Sequence, residues 1–404
     1  MSAAIRRFVF GAIFLALLAA IGDRQHVAWA CPFCMASGTT LLEEANAAQM
    51  ILYGTLTNAR LVPGDPNGGT TDLSVEVVIK ENEILAGRKT ITLAKYLPPQ
   101  SDKPFKYLVF CDVYKGQIDG YRGQAFRSDS HIAEYLKGAL ALKRKDIATR
   151  LKYFFNYLDD PDIEIANDAY MEFGNCDYRD FRPIAETFSA AKIAAWLKNP
   201  GTPPSRFGLY GSILGHCGTA QDAELLREML DDSKRRYSSG MDGLAAGYIM
   251  LKPAEGWTYL LGVLKNEKRE HLQRYAALRA ARFIWEYRPD LVAKETVAGG
   301  VMVCLAQRDM ADLVIEDFRK WKYWKAADRV VALYGQLTQD DAITRKAIIR
   351  FALACPRGIN KKLDAFLEEM KKKDPDLVRE IQEWMPSDSP PATNSKSAPS
   401  AKSK

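Results

Sequence analysis

The amino-acid sequence predicts an α+β multidomain chain in which a small N-terminal β-barrel is followed by a C-terminal α-solenoid. Two observations carry this. Four segments between Ile51 and Tyr114 are rich in β-branched and aromatic residues and are bounded by turn chemistry. From about Lys143 that signal stops, and helical periodicity runs for roughly 240 residues with pairs of helices recurring at about forty residues. The ends of the 404-residue chain belong to neither part.

Residues 1–30 read as a cleavable secretory signal peptide. Arg6 and Arg7 precede an apolar run from Phe8 to Ile21, and Ala28-Trp29-Ala30 supplies the small-x-small cleavage pattern. The run is shorter than the roughly 20 residues that span a bilayer. Cutting there exposes Cys31. A lipid on Cys31 is the alternative, and the polar Asp23-Arg24-Gln25-His26 and Trp29 before the cut fit it poorly. Cleavage removes three arginines and one aspartate, taking the net charge from +6 to +4, too small an excess to argue for nucleic acid. No second apolar stretch reaches membrane-spanning length, so the expected location is the periplasm, cell envelope or extracellular space.

Residues 31–142 form the barrel domain. Thr39 to Met50 reads as a helix with Thr39 or Thr40 as N-cap and Glu43 placed for a capping box. The strands expected are Ile51–Ala59, Thr71–Ile79, Thr90–Tyr96 and Tyr107–Tyr114, with a turn-rich loop from Pro63 to Gly69 and a closing helix from His131 to Leu142. This order of cysteine motif, helix, "ILYGTL", "LSVEVVIKENEILAG", "TITL" and "YLVFCD" resembles the netrin-like OB-fold shared with tissue inhibitors of metalloproteinases. The chain departs from that family in having Cys31-Pro32-Phe33-Cys34 instead of Cys-x-Cys, and in having far fewer cysteines.

Residues 144–385 form the helical domain. The pairs are Ile147–Leu158 with Ile163–Phe173, Ala223–Leu230 with Met241–Met250, and Trp257–Lys265 with His271–Trp285. Their spacing is that of HEAT-type repeats, and "DDPDIEIANDAYMEFGN" looks like the turn and second helix of one. A charged helix from Lys361 to Lys373 reads as the cap. Residues 386–404, rich in Ser, Pro, Ala and Lys, cannot bury a core and are expected to be disordered. The whole chain also resembles exported bacterial proteins with this pairing, a resemblance that carries no activity with it.

Among candidate chemistry, Cys31-Pro32-Phe33-Cys34 superficially matches the CPxC of thioredoxin-like enzymes, yet no strand precedes it, and a structural disulfide drawing on Cys31, Cys34 and Cys111 is the expectation. Cys176, Cys217, Cys304 and Cys355 lie in apolar helical context, as buried free thiols do. The inhibitor resemblance implies a second use of Cys31, whose free amine and carbonyl would ligate a protease zinc. The carboxylates Asp159, Asp160, Asp162 and Glu164 lack EF-hand spacing and read as helix capping around Pro161. His216 reads as an interior histidine, and neither a metal site nor a cofactor is implied.

The most unusual surface is Phe318 to Lys325, "FRKWKYWK", four cations interleaved with four aromatics. Arg319, Lys320, Trp321, Lys322, Tyr323, Trp324 and Lys325 there form a candidate ligand surface for sugars, bases or an anionic polymer. The plainer reading packs Trp321 and Trp324 inward and leaves Lys320, Lys322 and Lys325 solvated. The sequence thus points to an exported, non-enzymatic binding or scaffold protein that recognises a protein or cell-envelope polymer through its helical surface. A thiol-disulfide enzyme using Cys31 and Cys34 and a metalloprotease inhibitor acting through Cys31 stay open beside it.

Overall fold

A computed structural model describes residues 32–34, 38–98, 105–232, 234, 239–336 and 341–385. The signal segment, Cys31 and the tail therefore lie outside the described residues. The fold is α+β, a five-stranded antiparallel sheet followed by helices, with one helix before the sheet. The chain divides into two compact units, Met1–Gly247 and Tyr248–Lys404.

Helix α1 (Leu41–Ala47) begins as expected. Thr40 is its N-cap and makes the reciprocal capping box, Glu43 N donating to Thr40 Oγ1 at 3.1 Å and Thr40 N donating to Glu43 Oε2 at 3.2 Å. The sheet comprises β1 (Met50–Val62), β2 (Asp65–Lys80), β3 (Thr90–Leu93), β4 (Phe105–Tyr114) and β5 (Gln117–Arg127), in the order β3-β2-β1-β4-β5. The expected loop from Pro63 to Gly69 is largely strand, because β1 and β2 extend and meet at Val62 and Asp65 across the tight turn Pro63-Gly64, where Gly64 takes φ +86°. β5 was not expected. Its exposed, glycine-bearing QIDGYRGQAFR lacks a hydrophobic alternation, and only the Lys115-Gly116 turn, with both residues at positive φ, marks the hairpin.

The central strand β1 is buried on both faces. Met50 and Leu52 stand opposite Cys111 and Val109, and with Leu56, Leu73, Ile91 and Leu93 they fill the concave core. Ile51 and Tyr53 stand opposite Phe110 and Leu108 on the other face, all 4% exposed or less. There Arg122 lies over the Phe110 ring at 5.9 Å and pairs with Glu44 of α1. The barrel is not closed: β3 and β5 are edges, although the sheet curls enough to bring Leu93 against Gly120. Four residues of β3 give too short a ladder to complete the ring, and β5 places small or polar residues where a barrel needs bulk.

Helices α2 (Ile132–Ala141), α3 (Ile147–Phe155), α4 (Ile163–Gly174), α5 (Tyr178–Ala185), α6 (Ala190–Lys198), α7 (Phe207–Cys217), α8 (Ala220–Asp231) and α9 (Met241–Leu251) follow. Helix α2 packs on α1 and β2, α3 on α4 and α5, α5 on α7, and α6 on α7 and α8. The second unit contains α10 (Pro253–Lys265), α11 (His271–Tyr287), α12 (Lys294–Val301), α13 (Ala311–Lys320), α14 (Ala327–Tyr334), α15 (Ala342–Ala354), α16 (Lys361–Lys373) and α17 (Pro375–Glu383). Here α10 packs on α11 and α12, α13 on α15, α14 on α15 and α16, and α17 on α15 and α16. Helix α16 matches its expected bounds, but α17 lies beyond it, and the short helices α5 and α6 interrupt the forty-residue spacing.

The ends of α1 are held from distant elements. At its N-terminus Leu41 N donates to Asp168 Oδ1 at 2.6 Å and Thr40 Oγ1 donates to Glu172 Oε1 at 2.6 Å, both carboxylates lying four residues apart on α4. Tyr135 of α2 donates to Asp168 at 2.7 Å and Arg150 of α3 to Glu172 at 2.9 Å. At the C-terminus Lys80 Nζ donates to the carbonyls of Ala45 at 2.9 Å and Asn46 at 3.2 Å, and also reaches that of Ala48. Burial pushes Asp168 up to about 6 and raises Glu172 as well.

Two predictions follow from this geometry. A Cβ on Gly54 would lie on the Ser74 carbonyl oxygen, whereas one on Gly123 has nothing nearer than 3.9 Å. Gly54→Ala is therefore expected to lose about 2 kcal/mol or more in urea unfolding, with Gly123→Ala much milder. The second concerns pH. Asp168 has its folded value above its unfolded one, so its contribution is full below pH about 4 and is lost as pH rises through about 6. Stability of the parent relative to Asp168→Asn should fall by roughly 2 kcal/mol between those limits, and a difference that does not vary with pH would refute the assignment.

Candidate functional site

The N-terminal motif is anchored, not poised. Phe33 is 1% exposed and, with Pro32, lines a cavity of about 10 Å³ among Phe173, Cys176, Tyr178, Phe181 and Leu209, barely a water's room. Gly208 at the start of α7 permits the approach, since a Cβ there would meet the Phe33 carbonyl oxygen at 2.5 Å. Cys34 is half-buried and precedes Leu41, the first residue of α1, by seven positions. Cys111 corrects the expectation of a tether to the terminus: it is a free thiol, fully buried opposite Met50 in the sheet core. Burial pushes Cys111, Cys176 and Cys304 up to about 12 and Cys217 to about 11, so these thiols are not thiolates at neutral pH. His216 meets the Tyr178 hydroxyl at 2.8 Å, as an interior histidine does.

The structure assembles one polar cleft that the sequence did not reveal. About 110 Å³ is lined by Arg127, Asp129, Ser130, His131, Pro161 and Asp162 where β5 runs into α2 beside the start of α4. His131 Nε2 lies 2.9 Å from Asp160 Oδ2, a pairing that superficially suggests acid-base chemistry. The hydroxyl needed to complete a triad is otherwise engaged, because Ser130 donates to Asp162 and accepts from Ile132 N at 3.2 Å. Asp162 is the N-cap of α4, accepting from Glu164 N at 3.1 Å, and Asp160 accepts from Asp162 N at 2.9 Å. These carboxylates do the capping work expected of them. Among the described residues no group of three or more histidines, cysteines or carboxylates is placed to hold a metal.

The aromatic and basic segment lies wholly in the second unit. Helix α13 ends in a Schellman motif: Tyr323 N donates to the Phe318 carbonyl at 2.8 Å, Lys322 N to that of Arg319 at 3.1 Å, and the Phe318 and Tyr323 rings meet at 5.5 Å. The left-handed position of that motif is normally glycine, and here it is Lys322, at φ +54°. Trp321 stacks on Trp285 of α11 with ring centres 4.2 Å apart and planes 12° apart, and Trp324 packs on Phe351 at 5.2 Å. Lys294, at the start of α12, places its ammonium 5.0 Å from the Trp285 ring centre.

One expected cation does not belong to the surface. Arg319 is 5% exposed and forks onto Glu316 at 2.7–3.0 Å, since it faces α15 instead of solvent, where Arg350 also approaches Glu316. Lys320, Lys322 and Lys325 are exposed, while Trp321, Tyr323 and Trp324 are half-buried. The residues missing from the sequence reading are Trp285 and Lys294, which only the stacking of α11, α12 and α13 brings to Trp321. No family model, curated protein or solved structure matches the chain.

These thiols give a direct check. Modification by a disulfide reagent in the folded protein should leave Cys111, Cys176 and Cys304 untouched until denaturant is added; rapid labelling of any of them in native buffer would refute their burial.

Proposed function

We propose that this chain is an exported, non-catalytic binding protein in which the helical region supplies the recognition surface and the N-terminal sheet region anchors the processed end. The observation that carries the reading is the packing order of the helices. Within each unit helices pack on those one or two places along the chain, as in stacked helical hairpins of the HEAT type, and such stacks offer extended surfaces to macromolecular partners. The sheet is read as an OB-type barrel left open between β3 and β5. Its pairing of β1 with β2 and β4, of β2 with β3 and of β4 with β5 is the support.

The netrin-like resemblance enters as a resemblance of architecture. An inhibitor's N-terminal cysteine must enter a protease cleft, whereas Pro32 and Phe33 are here packed into the protein's own helices, two residues from Cys31. A thioredoxin-type thiol needs a helix N-terminus or a neighbouring cation to lower its pKa, and six residues separate Cys34 from the first residue of α1. We assign Cys31 and Cys34 to each other as a structural bridge; the free state of Cys111, Cys176, Cys217, Cys304 and Cys355 supports it. No helix among the described residues is long and apolar enough to cross a membrane.

The test is a non-reducing peptide map of the protein recovered after export, paired with an insulin-disulfide reduction assay. The expected map begins at Cys31 and links it to Cys34, and the parent shows no more reductase activity than Cys34→Ser. A bridge to Cys111, an unprocessed N-terminus, or Cys34-dependent reduction of insulin would each contradict the proposal.

A further inference from the structure

The geometry points to an anionic polysaccharide as the ligand of the second unit, held by the turn after α13 and the start of α12. This inference rests on the binding reading above and gives it a site. Four facts converge on one patch. Trp321 is half-exposed and held flat on Trp285, so its ring cannot rotate away. Lys294 reaches the other partner of that stack, the Trp285 ring. Lys325 pairs at 3.2 Å with Glu295, the neighbour of Lys294, which places the end of the turn beside the start of α12. Lys320 and Lys322 flank Trp321 directly and make no ion pair among the described residues.

The acids nearby do not neutralise this surface. Asp317 pairs with Arg282 at 2.8 Å and Glu316 with Arg319 at 2.7 Å, and of the exposed acids Asp328 pairs with Lys362 and Glu295 with Lys325. The pair of Glu295 with Lys325 is more than two-thirds exposed on both sides and holds Lys325 only weakly.

The backbone at Lys322 supplies a clean test of this patch. A side chain in the left-handed region strains the chain, and a Schellman turn is served better by glycine. Replacing Lys322 by glycine removes that strain, so a loss of binding in such a variant can be read apart from a loss of stability. The side chains together indicate the kind of anion. The exposed lysines present hydrated point charges that attract an anion without fixing its geometry, so the ring beside them carries the choice of partner. The rigid half-exposed indole supplies a flat apolar face against which a sugar ring can lie. An acidic peptide would use the lysines and leave the ring idle.

The experiment is calorimetric titration of the full exported chain with polygalacturonate, with neutral dextran and poly-L-glutamate of matched length as comparisons, at low and at physiological salt. Polygalacturonate is expected to bind, more weakly as salt rises, and both comparisons to bind at least tenfold more weakly. Lys320→Ser/Lys322→Gly/Lys325→Ser should lose at least tenfold in affinity. Trp321→Ala should lose as much, with Trp321→Phe recovering part. Lys322→Gly alone is the variant that separates recognition from folding: its Tm should equal or exceed the parent's while its affinity drops. Poly-L-glutamate binding equal to that of polygalacturonate, unchanged affinity in the triple variant, or no binding of polygalacturonate would overturn the polysaccharide. Any of these with a normal N-terminal map and no insulin reduction leaves the exported binding reading standing, so the two failures are distinguishable.

Discussion

The first unit depends on how the N-terminus of α1 is satisfied. A helix start leaves four amide groups without partners, and burying such an end is costly unless acceptors are supplied. Asp168 supplies one, to the Leu41 amide, and Glu172 holds the hydroxyl of the N-cap Thr40, both from a helix more than 120 residues away, and they are themselves held by Tyr135 and Arg150. Helices α1 to α4 are therefore tied at one point, while Lys80 ties the other end of α1 to the sheet. Sheet and first helices form one cooperative body for this reason, and Phe33 is seated on the same body through α4, α5 and α7.

Several buried titratable groups are held within this arrangement: Asp168 and Glu172 meet the start of α1, Tyr135 donates to Asp168, and the thiols sit in apolar surroundings that oppose ionisation. In the cleft at Ser130 and His131 the Ser130 hydroxyl and the Asp162 carboxylate complete a turn and a helix end, and Asp129 pairs with Arg127. The surface at Trp321 differs. Its aromatic part is fixed by packing, Lys320 and Lys322 beside it are exposed, and Lys322 takes a positive φ.

Local signals were legible wherever they were complete within a few residues. The capping box at Thr40 and Glu43, the strands of β1, β2 and β4, and the bounds of α16 are all written in propensity and periodicity. β5 was not, because its residues are exposed or face the small side of the curl and carry no alternation. Cys111 misled because a thiol in a strand looks the same in sequence whether it faces a core or a partner, and the register opposite Met50 decides between them. Arg319 misled for the related reason that one of several adjacent cations on a helix must face inward, and only the presence of Glu316 and α15 shows which.

The sequence by itself determined the α+β order, the places of about half the helices, the inward packing of Trp321 and Trp324 with solvated lysines around them, and helix capping by the carboxylates around Pro161. These follow from interactions spanning one helical turn or one hairpin, whose partners are fixed by spacing. Tertiary structure alone decided that Asp168 and Glu172 close α1, that the barrel stays open, that Phe33 is buried, and that Trp285 and Lys294 join Trp321. Each of these pairs groups far apart in the chain, and such pairings depend on the relative placement of whole elements, which no local pattern encodes.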